Sequence, residues 1–217
     1  MPYAAAMWVL GMAAAYLVGG LPFGLWVCRA WSGYDPRQYG SGNIGATNVY
    51  RLLGPMGFVV VLALDAGKGF AAVKLGAALA GGGPWAVLAC ALSAIVGSNW
   101  SVYLGFKGGK GVGVSLGAAA AAMPLVALLS LVTWIVVVAV CRYVSLASIV
   151  AACMAGVYAV LLGQPVPYRV FGGLIAVFVL IRHRANIGRL VAGTEPRFGA
   201  RIKPTEGGEC KQTRTGL

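Results

Sequence analysis

Carboxylates and histidine are scarce in this chain: five Asp and Glu and one His, His183, in 217 residues. One histidine excludes a histidine-rich metal site. With only Asp35, Asp65 and Glu195 as carboxylates beside the apolar runs, no Ser-His-Asp arrangement stands out. Charge of either sign is also sparse. Only 10% of residues are charged, against about 25% in a soluble domain, so the solvent of most of this chain is lipid. The five cysteines (Cys28, Cys90, Cys141, Cys153, Cys210) form no CxxC or other ligand spacing, and most sit in or beside apolar runs. They read as packing thiols rather than as disulfide or metal ligands.

What is present is apolar: 59% of the residues, gathered into seven runs near 4–28, 56–80, 84–104, 111–124, 125–141, 146–163 and 168–183. A crossing helix needs about 20 residues, fewer where its ends snorkel. The fourth and fifth runs are short and are parted only by Met123-Pro124; read as one helix they would reduce the count to six. Basic residues favour seven. With the N-terminus outside, the cytoplasmic segments hold Arg29, Arg37 and Arg51, then Lys107 and Lys110, then Arg142, and finally the Arg- and Lys-rich tail. The outer connections, Gly81 to Gly83, Met123-Pro124 and Gly163 to Tyr168, hold none. The net charge of +12 thus reflects the cytoplasmic bias of Lys and Arg and not a nucleic-acid-binding surface. The first run has no basic residue before it and no evident cleavage site, and is expected to be a retained span. The expected fold is an all-α integral membrane bundle of seven transmembrane helices, N-terminus outside and C-terminus cytoplasmic. Residues 1–196 form one transmembrane unit, and 197–217 a basic tail without regular structure. The spans are rich in Gly and Ala, which lets helix backbones approach closely in lipid.

Three polar segments then fall on the cytoplasmic face. Gly40 to Arg51, GSGNIGATNVYR, is dense in donors: Ser41 and Thr47 bring hydroxyls, Asn43 and Asn48 amides, and Arg51 a planar fork suited to phosphate. Its glycines, Gly42 and Gly45 among them, allow successive N–H groups to converge on an anion. The plainer reading is a flexible loop with helix caps. Phe106 to Gly111, FKGGKG, resembles a phosphate loop but lacks GxxxxGK[ST] spacing, so a nucleotide P-loop is disfavoured. Lys110, beside Gly108 and Gly109, is suited to meet a phosphate as a point charge; simple anchoring at the inner membrane face would explain the lysine but not the glycines. Arg182 to Glu195, RHRANIGRLVAGTE, puts His183 and Asn186 three apart, on one helical face. A basic helix binding anionic headgroups would cover its arginines but not that pair. Ser145 and Ser148 also share a face, although membrane serines usually bond back to their own helix. Asp65 and Lys68 lie within the second run, three apart, as either a working charge pair or a structural one. The site is rich in donors and poor in bases, which suits substrates that bring their own negative charge. A transporter for phosphorylated solutes would share the donors, but would tend to show inverted repeats and broken midplane helices, and no repeat is visible.

Taken in order and spacing, SGNIGATNVYRLLG, LDAGKG, FKGGKGV, RYVSLASI and RHRANIGRLVAGTE resemble the signature segments of the bacterial acyl-phosphate:glycerol-3-phosphate acyltransferases, from about residue 19 to 196. The H-x-x-x-x-D motif of the other large class of glycerolipid acyltransferases is absent. The resemblance implies a seven-helix enzyme of the bacterial inner membrane. Such an enzyme moves a fatty acyl chain from acyl phosphate to the 1-hydroxyl of glycerol 3-phosphate, with no cofactor, metal or nucleic acid. The expected partners are these two substrates and membrane lipid, and the expected state is a monomer. Carried over by motif position, Ser41, Arg51 and Lys110 hold glycerol phosphate and the reacting groups. Thr47, Gly42, Gly45, Ser148 (or Ser145), His183 and Asn186 surround the acyl phosphate, with Asn43, Asn48, Gly108 and Gly109 as further binding positions. The chain departs from the family where GSNWSVY, with Ser98 and Ser101, stands in place of a usual His and Pro, and where Gly113-Val114 replaces Ala-Thr.

Overall fold

The computed structural model describes residues 2–199, 201–204 and 210–213. Among the described residues ten α-helices follow in chain order: α1 (Pro2–Gly19), α2 (Phe23–Ser32), α3 (Ala46–Leu53), α4 (Pro55–Leu79), α5 (Pro84–Asn99), α6 (Val112–Ala122), α7 (Pro124–Cys141), α8 (Val144–Leu161), α9 (Val166–Arg182) and α10 (Arg184–Val191). Proline marks the first turn of α4, α5, α7 and α9, where its missing N–H has no partner to lose and its φ already suits the helix. Pro124 therefore divides the fourth and fifth apolar runs into separate helices, as expected.

Each of the seven runs forms helix, but they do not all reach the length of a span. Tyr3–Ser32, Pro55–Leu79, Pro84–Leu104, Pro124–Cys141 and Val144–Leu161 are long and apolar enough to cross, and α9 with α10 passes only as one unit bent by 64°. The fourth run gives α6, with 11 residues. At 1.5 Å per residue it covers about 17 Å, little more than half of a hydrocarbon core about 30 Å thick. Among the described residues, five helices reach the length of a span, or six where the bent α9–α10 pair is one span.

Small residues set the helix contacts. Gly19 and Gly97 bring α1 against α5, and Gly69 and Gly117 bring α4 against α6; a Cβ at any of them would run into the facing backbone. Large apolar side chains instead point outward: Val140 and Leu161 are 77% and 74% exposed, as lipid-facing positions are. Lys68 is the buried exception. Its Nζ sits 2.6 Å from Asp65 Oδ1 and donates to the Leu21 carbonyl at 2.6 Å. The pair thus holds the break between α1 and α2, where a carbonyl freed from the helix needs a donor. This is the structural alternative for Asp65 and Lys68, although both also line the cavity described below.

The transmembrane unit is all-α, as expected, and the two short strands lie in the tail beyond it. Arg201–Pro204 (β1) and Cys210–Thr213 (β2) pair antiparallel, Arg201 opposite Thr213, with β1 beside α3.

Candidate active site

The Gly40–Gly45 loop owes its shape to Asn48. This side chain, 2% exposed, places its Nδ2 2.8–3.0 Å from the carbonyls of Pro36, Tyr39 and Asn43, and its Oδ1 accepts from Ser41 N at 2.9 Å. Asn43 Oδ1 accepts from Gly45 N at 3.0 Å. Both asparagines are expected to bind substrate, but Asn48 has its whole amide engaged by the loop and acts as its scaffold. Gly42 sits at φ +67°, a conformation that a Cβ disfavours; it shapes the turn and does not line the cavity. Gly45 ends the loop as the N-cap of α3. Asn48 N already donates to Gly45 O at 2.9 Å, which leaves the N–H groups of Ala46 and Thr47 as the unpaired start of α3 among the described residues, and Gly45, Ala46 and Thr47 all line the cavity. Two turns along α3, Arg51 also lines it. Burial holds its pKa below the usual arginine value, with Glu195 acting in the opposite direction.

The second glycine segment is built differently. Gly108 N donates to Asn99 O at 3.2 Å and Gly109 N to Ser98 O at 3.0 Å. These N–H groups satisfy the last carbonyls of α5, so neither is available to a phosphate. A Cβ on Gly108 would strike Ser98 O and lie 2.9 Å from Asn99 O; this glycine is a packing requirement. What the segment delivers to the cavity is Lys110, whose Nζ donates to Asn186 Oδ1 at 2.5 Å. Burial lowers the Lys110 pKa to about 8; Glu195 works against this, and Arg189, Arg51 and Arg182 add to it. Arg182 holds the segment from the other side, donating to Gly109 O at 2.6 Å with its guanidinium 5.3 Å from the Trp100 ring centre.

At the bend between α9 and α10, His183 is 3% exposed and its Nδ1 lies 2.8 Å from the Val179 carbonyl. A carbonyl only accepts, so Nδ1 carries the proton and Nε2 is left as the functional nitrogen. Among the described residues no carboxylate is hydrogen-bonded to the ring. Asn186 relays from Lys110 to Glu195: its Nδ2 donates to Glu195 Oε1 at 2.6 Å, and Arg189 Nε donates to Oε2 at 2.7 Å. Burial raises the Glu195 pKa, but hydrogen bonds from Asn186 and Arg189 and the nearby Ser145 hydroxyl more than offset this, and it lies below the usual value. Sequence reasoning left Glu195 and Arg189 out of the site. The available signal was that Glu195 is the one carboxylate in RHRANIGRLVAGTE.

The two candidate serines separate. Ser148 Oγ donates to Val144 O at 2.8 Å and accepts from Trp134 Nε1 at 3.2 Å. Ser145 Oγ is buried and has no hydrogen bond of normal geometry among the described residues. Both line the cavity, but Ser145 is the less engaged of the two, its hydroxyl lying beside the Glu195 carboxylate. Ser115 and Ser130 line the cavity in the same unpartnered way. Of the departures, Ser101 is a packing staple, donating to Gly20 O at 2.7 Å, while Ser98 lines the cavity.

Most of these groups enclose one cavity of about 660 Å³, well within the range of small-ligand sites. Its lining joins Ser41, Thr47, Arg51, Lys110, His183 and Asn186 with apolar side chains, Phe58, Leu62, Leu116, Leu131 and Trp134. The space fits a molecule with an anionic head and an apolar chain. Residues 9–193 match the sequence profile of the glycerol-3-phosphate acyltransferase family. A glycerol-3-phosphate acyltransferase of a Synechococcus species is 48% identical over 195 residues, covering 88% of this chain and 95% of that protein. Glycerol-3-phosphate acyltransferase 2 of Moorella thermoacetica is 47% identical, covering 90% and 100%. The crystal structure of PlsY, an integral membrane glycerol 3-phosphate acyltransferase in its glycerol 3-phosphate form, superposes with a TM-score of 0.82 at 40% identity over 88% of this chain and 96% of that one. Fold, cavity and sequence agree: this chain is a multi-pass membrane protein and belongs to the glycerol-3-phosphate acyltransferase family.

Proposed function

We propose that the protein transfers a fatty acyl chain from acyl phosphate to the 1-hydroxyl of glycerol 3-phosphate, giving lysophosphatidic acid and inorganic phosphate. The reaction takes place at the cytoplasmic face of a bacterial inner membrane. The proposed topology has seven crossings, with the short α6 completing the set, and the N-terminus outside. The observation that carries this reading is the cavity's charge. Arg51, Lys110 and Arg189 meet there, with Glu195 as the carboxylate bonded into their network. Two substrates that each bring one phosphate group correct that imbalance. The PlsY structures describe glycerol 3-phosphate and lysophosphatidic acid forms, the acceptor and the product of this reaction.

Ser41, Arg51 and Lys110 hold the phosphate of the acceptor and set its hydroxyl against the acyl carbonyl carbon. Thr47, Ser145, His183 and the N–H groups at the start of α3 face the donor's phosphate and carbonyl. The acceptor oxygen attacks, the bond from carbonyl carbon to phosphate oxygen breaks, and the hydroxyl proton leaves with the phosphate. No protein base is required, which agrees with a histidine bonded to a backbone carbonyl and not to a carboxylate. The test is an assay in lipid with acyl phosphate and glycerol 3-phosphate, following lysophosphatidic acid and released phosphate. Product is expected from the wild type and not from Lys110→Ala or Ser41→Ala. A folded wild-type sample that forms no product refutes the donor assignment. A pH–rate profile that tracks His183 and vanishes in His183→Ala, with binding intact, would overturn the base-free step.

A further inference from the structure

The five residues after Thr194 cross the cavity as a strap: Glu195, Pro196, Arg197, Phe198 and Gly199 all line it. The strap is fixed at both ends. Glu195 is bonded to Asn186 and Arg189. At the far end Phe198 N donates to the Arg142 carbonyl at 2.6 Å, and Arg142 Nη2 reaches back to Phe198 O at 3.4 Å. Between them Arg197 lies over the Tyr143 ring, 5.8 Å from its centre. The family profile ends at residue 193, and Arg197 to Gly199 lie beyond the signature segments as well.

Phe198 completes an aromatic wall. Its ring centre is 4.5 Å from that of Tyr50 on α3 and 5.6 Å from that of Phe58 on α4, and Phe58 stacks on Trp134 of α7 at 6.0 Å. All four rings line the cavity. Three of them come from helices, and the strap supplies the fourth. We infer that Phe198 is a binding residue for the acyl donor, forming with Tyr50, Phe58 and Trp134 the wall against which the acyl chain lies and which keeps water from the acyl phosphate. An aromatic face suits a chain of methylenes, and closing a site against water protects a reactive ester-like bond from hydrolysis. Glu195 couples this wall to the phosphate-binding side, because the strap that seats Phe198 begins at the carboxylate holding Asn186 and Lys110. The inference rests on the acyl-phosphate reading above for its kinetics, but not for its binding.

The test compares wild type, Phe198→Ala, Phe198→Leu and Phe198→Tyr in lipid. Loss of the ring's contact with two methylenes predicts a KM for acyl phosphate raised about tenfold in Phe198→Ala, with the KM for glycerol 3-phosphate within twofold of wild type. Hydrolysis of acyl phosphate relative to transfer is expected to rise in the same variant, which a merely structural role would not cause. Phe198→Tyr is expected to restore both readouts and Phe198→Leu to restore them in part. An unchanged KM and hydrolysis ratio overturn the inference, as does a parallel rise in both KM values. Lysophosphatidic acid binding is measured alongside. If wild type does not use acyl phosphate, the donor reading fails by itself. Product affinity then decides the wall: a tenfold loss in Phe198→Ala supports it and equal affinity refutes it.

Discussion

Two segments of this protein look alike on paper and work differently in space. Gly40 to Arg51 and Phe106 to Gly111 are both glycine-rich, both lie between apolar helices and both carry a cation at or next to their last position. The first keeps its glycines for a turn and a helix start: Asn48 holds the loop from beneath, and Gly45 to Thr47 face the cavity. In the second, the Gly108 and Gly109 N–H groups go to the carbonyls of Asn99 and Ser98, and only Lys110 reaches into the cavity as a ligand. Glycine density therefore signals close backbone approach without saying what is approached. In one case it is open space for a ligand, and in the other the end of a neighbouring helix.

The strongest way to break this comparison is to remove the two cations. Lys110→Ala and Arg51→Ala are each expected to lower kcat/KM at least ~100-fold, read with both substrates varied. If Lys110→Ala alone were tolerated, the second segment would be packing throughout. Glycine substitutions come next. Gly108→Ala drives a Cβ into the Ser98 and Asn99 backbone, and overpacking of this kind costs about 1–3 kcal/mol; a lowered melting temperature in detergent is the readout. Gly45→Ala meets only an ordinary contact with Asn43 Oδ1 at 3.5 Å and should melt like wild type, so equal melting of the two variants would erase the distinction.

The pH dependence sharpens it further. Burial places the Lys110 pKa at about 8, so the ammonium is charged below that value and lost above it. The KM for glycerol 3-phosphate should rise above pH 8 by up to about tenfold per unit, less to the extent that bound phosphate stabilises the charged form. Lys110→Arg, charged throughout, should flatten the profile. The smallest expected effect separates the two serines. Ser145→Ala should cost about three- to tenfold in activity, the worth of one hydrogen bond. Ser148→Ala should leave activity near wild type while destabilising the fold, because it strands the Trp134 indole N–H. Reversed results would return Ser148 to the site.

Much of the site was legible before any coordinates. Ser41, Thr47, Arg51, Lys110, His183 and Asn186 come together around one cavity, because each sits in a polar segment next to an apolar run and short connections hold those segments at one membrane face. Glu195 and Phe198 were harder to see. They follow the last span in a stretch that reads as the start of a polar tail, and their roles depend on partners far away in sequence, Asn186 and Lys110 for one, Tyr50 and Phe58 for the other. The short α6 and the bend at His183 were likewise hidden, since hydropathy measures how apolar a run is and not where its hydrogen-bond ladder stops.

By itself the sequence determined the solvent, the helical class, the break at Pro124 and the residue types of the candidate site. These follow from composition, periodicity and residue type, which act locally. The tertiary structure alone decided which polar groups remain available. Asn48, Gly108, Gly109, Lys68 and Ser148 are consumed by neighbours; Arg51, Lys110 and Ser145 face the cavity. The physical reason is that a buried donor or acceptor takes whatever partner the packing brings to it, and that partner is set by helix contacts that no single segment encodes.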